Sequence, residues 1–423
     1  MISFFRFGVK HRPIQDTLKP NLKEGEMKAL HKFFHSDAAG GIIMLLAAVA
    51  ALVIANSPFY NLYESALSQT LTMGFTTPEG APAFALQKPL ILWINDLLMA
   101  IFFLFAGLEI KRELLAGALA SFKTALLPMI AAICGMAIPA VVYLFILRDQ
   151  PQYGHGWAIS SATDIAFALG VLALLGSRVP ASIKVLLMAI AVMDDLGAIL
   201  VIAFFYAGAI SGTALAVAGV AAFALLILNR LRVVAYGPYF LVGFVLWAAL
   251  LKAGIHPTIG GVILGFAIPM RDEEGTYCPL ETLEHIIKPW VVFAILPIFA
   301  FANAGVSFEG LGLSALMHPV TLAITAGLFL GKQLGIFGAI YGAVKTGLCP
   351  MPVRASWAQI YGMAMLCGIG FTMALFVGGL AFDDPSMAVY VRMGVIGGSA
   401  LSALCGYGLL YIAVPRSSEG LLK

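Results

Sequence analysis

The sequence predicts an all-α protein that crosses a membrane about twelve times. Three observations lead to this fold class. Hydrophobic residues make up 61% of the 423 residues and charged residues only 11%, whereas soluble domains carry about 25% charged residues. The mean hydropathy is +0.95, so in water the surface would consist largely of apolar patches. The apolar runs suit helices of about 20 residues, and they lack the alternating period of a membrane β-barrel.

Twelve apolar segments account for most of the chain. Charges, Pro residues or Asn-Ser turns separate them, as is typical of loops between helices. The seventh and eighth segments are short, and the sequence leaves open whether they form one bent element around Lys252 and Gly254. The predicted segments are 38–57, 89–110, 124–147, 155–175, 182–208, 213–229, 236–250, 254–269, 288–305, 320–343, 358–381 and 387–414.

The distribution of positive charge predicts that both ends of the chain are cytoplasmic. In that orientation, 20 of the 25 Lys and Arg residues lie at cytoplasmic ends, four lie outside, and Lys332 lies within a segment. Cytoplasmic loops are normally the ones enriched in Lys and Arg. The predicted organisation is a basic cytoplasmic tail over 1–37, a single transmembrane domain over 38–414 and a cytoplasmic tail over 415–423.

Neither the N-terminal tail nor the cysteines predict a further module. The tail carries seven Lys or Arg residues but no apolar core of the signal-peptide type. The five cysteines are scattered and lack a Cys-x-x-Cys pair, which argues against a disulfide framework or a zinc site. We expect no cofactor and no nucleic-acid partner.

Two loops are longer than the others. The outer loop 58–88 contains two short strand-like runs around a Pro-Glu-Gly turn, which predicts a β-hairpin. An exposed hairpin edge can pair with a second copy, so a homodimer through this loop and a self-contained loop are both open. The inner loop 270–287 is acidic and is expected to be solvated.

Five charged residues interrupt the apolar segments. A charge at the centre of a membrane helix costs roughly 2.5–3.5 kcal/mol on insertion scales, so retained charges usually line a cavity and take part in function. The five residues are Asp96, Asp164, Asp194, Asp195 and Lys332.

The adjacent acids Asp194 and Asp195 are the most informative of these charges. Neighbours on a helix point about 100° apart, so one can face a neighbouring helix while the other faces a water-filled cavity. Two ionised carboxylates this close repel each other, which favours proton uptake by one of them. Their oxygens suit hard cations such as Na⁺, Li⁺ or Ca²⁺. Lys332 is expected to pair with one of the acids; a Schiff-base lysine holding retinal would instead belong to a seven-helix bundle.

Two distant segments contain polar or glycine-rich interruptions. One holds Ser160, Ser161, Thr163 and Asp164, and the other is the run Leu366–Met373 with Gly368, Gly370 and Thr372. Such interruptions indicate discontinuous helices at the centre of an inverted-repeat transporter. Helix N-termini meeting there would favour an Asp, and C-termini would favour a Lys. Close helix packing is the alternative explanation for the two glycines.

Seven strings resemble the NhaA family of bacterial Na⁺/H⁺ antiporters, itself an example of inverted-repeat architecture. The resemblance runs from about Met27 to the C-terminus, so residues 1–26 are either a basic extension or the result of a start assigned too early. The strings begin at His31, Ser36, Leu92, Gly107, Ala162, Asp194, Phe301 and Cys367, the first two forming one match.

The resemblance implies specific roles for residues of this chain. Helices four and eleven would be unwound and cross each other. Asp194 and Asp195 would carry Na⁺ and protons, and Lys332 would pair with Asp194. The Na⁺ ligands would be Asp195, Asp194 and Thr163, with Asp164 beside them. The supporting residues would be Asp96, Gly368 and Gly370. The pH response would involve Glu109, Arg112, Glu113, Glu284 and His285, and Lys288 stands where some members carry His.

The predicted function is electrogenic exchange of Na⁺ or Li⁺ for a larger number of protons, activated at alkaline pH, in the inner membrane of a bacterium. The bilayer and these ions are the expected partners. A Na⁺-coupled solute symporter is the main alternative, with Trp157 and Phe167 as candidates for an aromatic pocket. A channel would not need paired carboxylates. An intramembrane protease would need Gly-x-Gly-Asp where Phe371 follows Gly370, so we expect no enzymatic activity.

Overall fold

A computed structural model describes residues 37–76, 82–208, 210–272, 274–309, 313–382, 384 and 386–413. The predicted tails therefore lie almost wholly outside the described residues. The strands are β1 (Thr70–Thr76) and β2 (Pro82–Pro89), and the 3₁₀ helices are Pro151–Ser161 and Gly176–Arg178. The α-helices, with the π turns inside them included, are α1 (Asp37–Ala55), α2 (Tyr60–Ser68), α3 (Leu90–Leu115), α4 (Phe122–Ile146), α5 (Ile165–Ala173), α6 (Ala181–Phe205), α7 (Gly212–Arg230), α8 (Tyr236–Ala253), α9 (Thr258–Ala267), α10 (Pro279–Ala304), α11 (Leu313–Leu316), α12 (Pro319–Lys345), α13 (Trp357–Leu366), α14 (Phe371–Ala381) and α15 (Met387–Ala413).

The architecture is a bundle of membrane-length helices, as the composition predicts. Within the described residues, nine helices are long and apolar enough to cross a membrane, and eleven spans result if each of two bent pairs counts as one. The apolar helix α9 has only ten residues and is not counted among these spans. The predicted total of twelve spans therefore stays a prediction. Large apolar side chains such as Phe204, Leu241 and Ile412 are exposed on the outside, which is the surface that contact with lipid requires.

The two bent pairs lie in the two segments with predicted interruptions. The 3₁₀ helix Pro151–Ser161 and α5 meet at an angle of 46°, and α13 and α14 meet at 44°. Asp164 caps the N-terminus of α5, where its side chain accepts a hydrogen bond from the N–H of Phe167. Capping satisfies N–H groups that a helix end leaves without partners. The predicted discontinuous helices are therefore present.

The predicted hairpin in loop 58–88 is also present. β1 and β2 pair antiparallel, with Thr70 opposite Pro89 and Met73 opposite Leu86. The indole N–H of Trp93 in α3 donates to the carbonyl of Leu71 over 3.2 Å, which ties the hairpin to the bundle. Residues 77–80 of the predicted turn lie outside the described residues. The sequence did not predict α2 in the same loop, because this helix is short and only weakly apolar.

Glycines bring α12 unusually close to α4. Gly327, Gly331 and Gly335 recur every fourth residue, and an added Cβ at Gly335 would lie 3.2 Å from the Cα of Gly135 on α4. Small residues at this spacing let the backbones of membrane helices approach closely. These three glycines form the face of α12 that packs against α4. The orientation of α12 is thereby set, so the side chains on its other faces have defined neighbours.

Two predicted boundaries are wrong. The inner loop 270–287 was expected to be solvated throughout, but α10 begins at Pro279 and Glu284 on it is only 6% exposed. Pro suits the first turn of a helix, and an apolar face at Leu280, Leu283 and Ile287 packs this turn against the bundle. Likewise, the second predicted segment ends at residue 110, whereas α3 continues to Leu115. Both extensions bring charged residues onto helices.

Candidate functional site

The adjacent acids lie in the middle of α6 and face different surroundings. Asp194 is 2% exposed and Asp195 is 5% exposed. Asp194 faces α12, whereas Asp195 lines a cavity. This division follows from the angle of about 100° between successive side chains of a helix.

Lys332 on α12 forms a buried ion pair with Asp194. The distance from Lys332 Nζ to Asp194 Oδ2 is 2.8 Å, and the two side chains are 0% and 3% exposed. The other carboxylate oxygen, Asp194 Oδ1, is buried and has no hydrogen-bond partner among the described residues. Thr163 lies beside the same carboxylate. Pairing offsets the cost of removing both charges from water.

Two π-helical turns, Gly327–Gly331 and Gln333–Phe337, flank Lys332 in α12. The backbone N–H of Lys332 bonds to the carbonyl of Gly327, five residues earlier. Such widened turns inside α-helices are frequent at functional sites.

The two helix breaks are joined by hydrogen bonds. Thr163 Oγ1 donates to the carbonyl of Cys367 over 2.8 Å, and the N–H of Asp164 donates to the carbonyl of Ile369 over 2.6 Å. Asp164 Oδ2 accepts from the N–H of Thr372 over 3.0 Å and also from its hydroxyl. The Asp164 carboxylate thus lies between the N-termini of α5 and α14, where the helix dipoles favour a negative charge.

Both glycines of the second break stand where a side chain would collide. A Cβ at Gly370 would lie 2.7 Å from Leu328 Cδ2 on α12 and 3.1 Å from the carbonyl of Ala162. A Cβ at Gly368 would meet the carbonyl of Leu328 and the hydroxyl of Ser402 on α15. Close packing and the helix break therefore occur together at these positions, and the two explanations drawn from the sequence are not alternatives.

A cavity of about 530 Å³ leads to Asp195. The carboxylates of Asp164 and Asp195 and the side chain of Thr372 lie at its buried end, and His285 and Lys288 on α10 lie at its exposed end. Other residues of its lining include Phe102, Phe105, Glu109, Lys184, Met188 and Phe293. Asp195 is in none of the ion pairs between described residues, so its oxygens are available to an ion that enters the cavity.

The residues implied in the pH response form two groups near the exposed end of the cavity. Arg112 pairs with Glu284 through Nε and with Glu113 through a terminal nitrogen, both at 2.8 Å. Glu113 also accepts from the N–H of Ala118 over 2.9 Å, which holds the turn after α3. Glu109 and His285 line the cavity itself. Sequence reasoning did not identify Lys184 as a lining residue, since it lies outside every motif.

Asp96 lies apart from the paired acids. It is 8% exposed and sits in a π turn of α3. Its Oδ2 pairs with Lys88 Nζ at 2.6 Å, and its Oδ1 lies 3.7 Å from His256 Nε2. It does not line the cavity that reaches Asp195. The structure therefore does not bring this acid together with the other four buried charges.

The donor set suits a hard cation more than a transition metal. No group of three or more His, Cys, Asp or Glu residues with metal-binding geometry occurs in the described part of the chain. The oxygens that converge at the buried end of the cavity belong to carboxylates and hydroxyls, which favour hard cations. The same carboxylate oxygens bind protons, so one position can take either ion.

Comparisons with known proteins agree with one another. A family model described as Na⁺/H⁺ antiporter 1 matches residues 31–410. The Na⁺/H⁺ antiporter NhaA of Pseudomonas fluorescens is 50% identical over 392 residues, which cover 92% of this chain and 97% of the relative. The NhaA of Bordetella parapertussis is 50% identical over 408 residues, covering 95% and 99%. The NhaA of Haemophilus ducreyi is 46% identical over 388 residues, covering 91% and 97%.

Proposed function

The chain belongs to the Na⁺/H⁺ antiporter 1 family, and from this membership and the geometry of the site we propose that it exchanges Na⁺ for protons across a membrane. The family consists of transporters, and the chain is a multi-pass membrane protein. The relatives described above are Na⁺/H⁺ antiporters by name. They give no support to a Na⁺-coupled solute symporter.

One observation carries the proposal for the site. Asp195 stands at the buried end of a cavity, and the next residue, Asp194, is held by Lys332 at 2.8 Å. One carboxylate is therefore open to ions while its neighbour is neutralised by a lysine. Na⁺ and H⁺ compete for the same oxygens, which couples their movements without any long-range signal.

The cycle needs only this competition and a change of access. When the cavity faces the cytoplasm at high pH, Asp195 loses its proton and binds Na⁺, with Asp194 and Thr163 as further ligands. The site then becomes accessible from the outside, where protons displace Na⁺ and return with the neutralised acids. When the ion pair between Lys332 and Asp194 breaks during the cycle, Lys332 either releases Asp194 or loses its own proton. Two protons per Na⁺ would make the exchange electrogenic.

The crossing of the broken helices forms the frame of this site. Asp164 joins α5 to α14 through Phe167 and Thr372, and Gly370 lets the break approach α12. In this proposal Asp164 and the two glycines support the ligands, and a movement of either broken helix changes the site directly.

The aromatic residues weighed for a symporter pocket pack against other rings. Trp157 contacts Phe205 with ring centroids 5.5 Å apart, and Phe167 contacts Phe371 at the same separation. Both pairs are edge-on, the arrangement that aromatic packing favours. This geometry supports packing roles rather than a solute pocket built from these rings.

The pH response is assigned to Glu109, Arg112, Glu113, Glu284 and His285. Glu109 and His285 border the path to Asp195, so their charge acts on any cation that enters. The alternative is an ordinary ion cluster at helix ends. A Glu109→Gln variant should change the pH at which exchange begins while its maximal rate stays similar; an unchanged pH profile would favour the alternative.

The location and the ion range follow from the same proposal. The protein resides in the inner membrane of a bacterium, with both termini and the exposed end of the cavity on the cytoplasmic side, where the Lys and Arg residues concentrate. Li⁺ is a second transported ion because the same hard oxygens bind it. Residues 38–414 form one transport domain, with cytoplasmic tails at 1–37 and 415–423.

A homodimer through the hairpin of loop 58–88 is part of the proposal. Leu71 and Met73 on β1 are 44% and 47% exposed, and an exposed strand edge can pair with another copy. Replacing Met73 with Lys should shift the purified protein from dimer to monomer in light scattering after size exclusion. A dimer that survives this change would point to another interface or to a self-contained hairpin.

The function is tested in everted membrane vesicles from a host that lacks its own exchangers. The vesicles are energised to an acid interior, and a pH-sensitive dye records the response to NaCl, LiCl, KCl or choline chloride between about pH 6.5 and 9. Na⁺ and Li⁺ should cause alkalinisation, and K⁺ and choline should not. The wild type would show no response to Na⁺ at any pH if antiport were the wrong function.

The site is tested by Asp195→Asn and Asp194→Asn in the same vesicles. Each change removes a carboxylate charge at nearly constant volume, so each should abolish exchange. The matched control is Asp149→Asn, because the side chain of Asp149 is 86% exposed. Full activity in Asp195→Asn would overturn the assignment of the site while leaving the function intact.

A further inference from the structure

Gln333, the residue after Lys332, is buried and hydrogen-bonded at both ends of its side-chain amide. It is 4% exposed. Its Nε2 donates to the carbonyl of Phe329 over 2.7 Å, and its Oε1 accepts from the hydroxyl of Tyr361 over 2.8 Å. A buried amide with both ends satisfied has one defined orientation.

The two hydrogen bonds act on the irregular part of α12. Phe329 belongs to the π turn that precedes Lys332, and Gln333 begins the π turn that follows it. A side-chain donor that bonds to a carbonyl four residues earlier competes with the backbone ladder and bends a helix. The Gln333 amide therefore helps to hold the widened turn from which Lys332 projects.

The same amide connects α12 to the second broken span. Tyr361 lies on α13, the half that ends at the break next to Gly368. Successive residues point about 100° apart, so Lys332 reaches Asp194 on α6 while Gln333 reaches Tyr361 on α13. A continuous path of polar contacts thus runs from α13 through Gln333 to the turn that carries the lysine of the ion site.

We propose that Gln333 and Tyr361 are a positioning pair that holds Lys332 on Asp194 and thereby sets the affinity of the site for Na⁺. This inference rests on the proposed antiport function. Asp195 is the next residue after Asp194, which Lys332 holds at 2.8 Å. Asp194 Oδ1 has no hydrogen-bond partner among the described residues, so it stays open to Na⁺ while Lys332 holds Oδ2. A lysine that leaves Oδ2 moves its ammonium toward Oδ1 and toward Asp195, so it competes with the cation for both carboxylates.

The inference is tested with Gln333→Met, Tyr361→Phe and the double variant in the vesicle assay. Met has nearly the length of Gln but has no donor and only a weakly accepting sulfur, and Phe removes only the hydroxyl of Tyr361. Each single variant should raise the apparent KM for Na⁺ about 3- to 10-fold, the effect of losing one net hydrogen bond. The rate at saturating Na⁺ should stay within about two-fold, because the carboxylates themselves are unchanged.

Thermal unfolding of the purified proteins separates positioning from simple packing. Each single variant leaves a buried polar group without its partner and should lower Tm, whereas the double variant replaces both Gln333 and the hydroxyl of Tyr361 and should recover part of the lost Tm. The carbonyl of Phe329 still lacks the Gln333 donor in the double variant. The raised KM should persist in the double variant, since Lys332 still lacks its support. The matched control is Tyr341→Phe, which removes a hydroxyl from a 44% exposed position of the same helix and should leave the KM unchanged.

Two outcomes would overturn the proposal that Gln333 and Tyr361 position Lys332. A double variant that regains Tm relative to the single variants and has the wild-type KM would show that the residues only pack. A wild-type KM in all three variants would show the same. A wild-type protein without any Na⁺-dependent proton movement would instead overturn the proposed function, and the pair with it.

Discussion

Lys332 is the residue whose placement is hardest to reconcile with a membrane interior, since its side chain has no exposed surface. An unpaired ammonium would be too costly there, and the carboxylate of Asp194 is what makes the position tolerable. Likewise, Asp194 depends on Lys332, because removal of one partner leaves an uncompensated buried charge. The two residues are therefore one unit in stability as well as in the proposed transport.

Lys332→Met should destabilise the protein by about 3–5 kcal/mol, because it leaves Asp194 unpaired in the interior. Adding Asp194→Asn should recover much of that loss, since the remaining pair carries no charge. The measurement is the unfolding midpoint of the purified proteins in detergent. A single variant as stable as the wild type would indicate that Asp194 finds another partner or takes up a proton.

Asp96→Asn should weaken exchange without abolishing it. Asp96 pairs with Lys88 and lies 3.7 Å from His256, away from the cavity that reaches Asp195. Loss of its charge disturbs this cluster but leaves the proposed ligands in place. Initial rates in everted vesicles, compared with those of Asp195→Asn, check the difference. Equal and complete loss in both variants would place Asp96 on the ion path itself.

At the scale of elements, the site exists because two broken spans cross and a widened helix meets them. The π turn before Lys332 moves the partner of its N–H from residue 328 to residue 327, and the carbonyl of Leu328 lies against Gly368. The glycines in the break between α13 and α14 and the irregularity of α12 are therefore parts of one contact. A regular helix in either place would not allow this approach.

Gly370→Ala should destabilise the protein by about 1–3 kcal/mol and reduce exchange, because the added methyl overpacks the break. Its Cβ would lie 2.7 Å from Leu328 Cδ2 and 2.9 Å from the Cβ of Ala374. Gly379→Ala in α14, the helix that Gly370 precedes, is the matched control, since a Cβ there meets nothing within 4 Å. Unfolding midpoints and vesicle rates test both variants, and similar effects at the two glycines would contradict the close-contact explanation.

At the scale of the whole molecule, the helices enclose one path from exposed residues to buried carboxylates. His285 and Lys288 lie at one end and Asp195 at the other. With two protons entering for each Na⁺ that leaves, the cycle proposed above would move charge across the whole bundle. Each charge is worth about 2.3 kcal/mol per 100 mV of membrane potential, so voltage is a driving force in addition to the pH gradient.

Proteoliposomes loaded with Na⁺ test this charge movement. Exchange of one internal Na⁺ for two external protons carries one net positive charge inward, so an inside-negative potential should accelerate Na⁺ efflux. The potential is imposed with valinomycin and an outward K⁺ gradient, and tracer efflux is measured with and without it. An efflux rate that is the same with and without the imposed potential would indicate one-for-one, electroneutral exchange.

The sequence by itself determined the membrane fold, the candidate carriers and the two breaks. The composition shows that most of the chain is surrounded by lipid, because 11% charged residues are too few to cover the surface of a soluble protein of this size. Charges inside apolar segments are costly, so Asp164, Asp194, Asp195 and Lys332 stand out without any coordinates. The polar and glycine interruptions are local features, and local features can be found along one chain.

The sequence predicts that Lys332 pairs with one of the adjacent acids, but only the tertiary structure decided the partners of the other charges. Asp96 looks like the other buried acids in sequence, yet it pairs with Lys88, while Glu284, expected in a solvated loop, is buried beside Arg112. The link from Gln333 to Tyr361 joins residues 28 positions apart. Such partners depend on the helix faces that pack together, and that choice is made by long-range contacts between segments whose apolar sequences are nearly interchangeable.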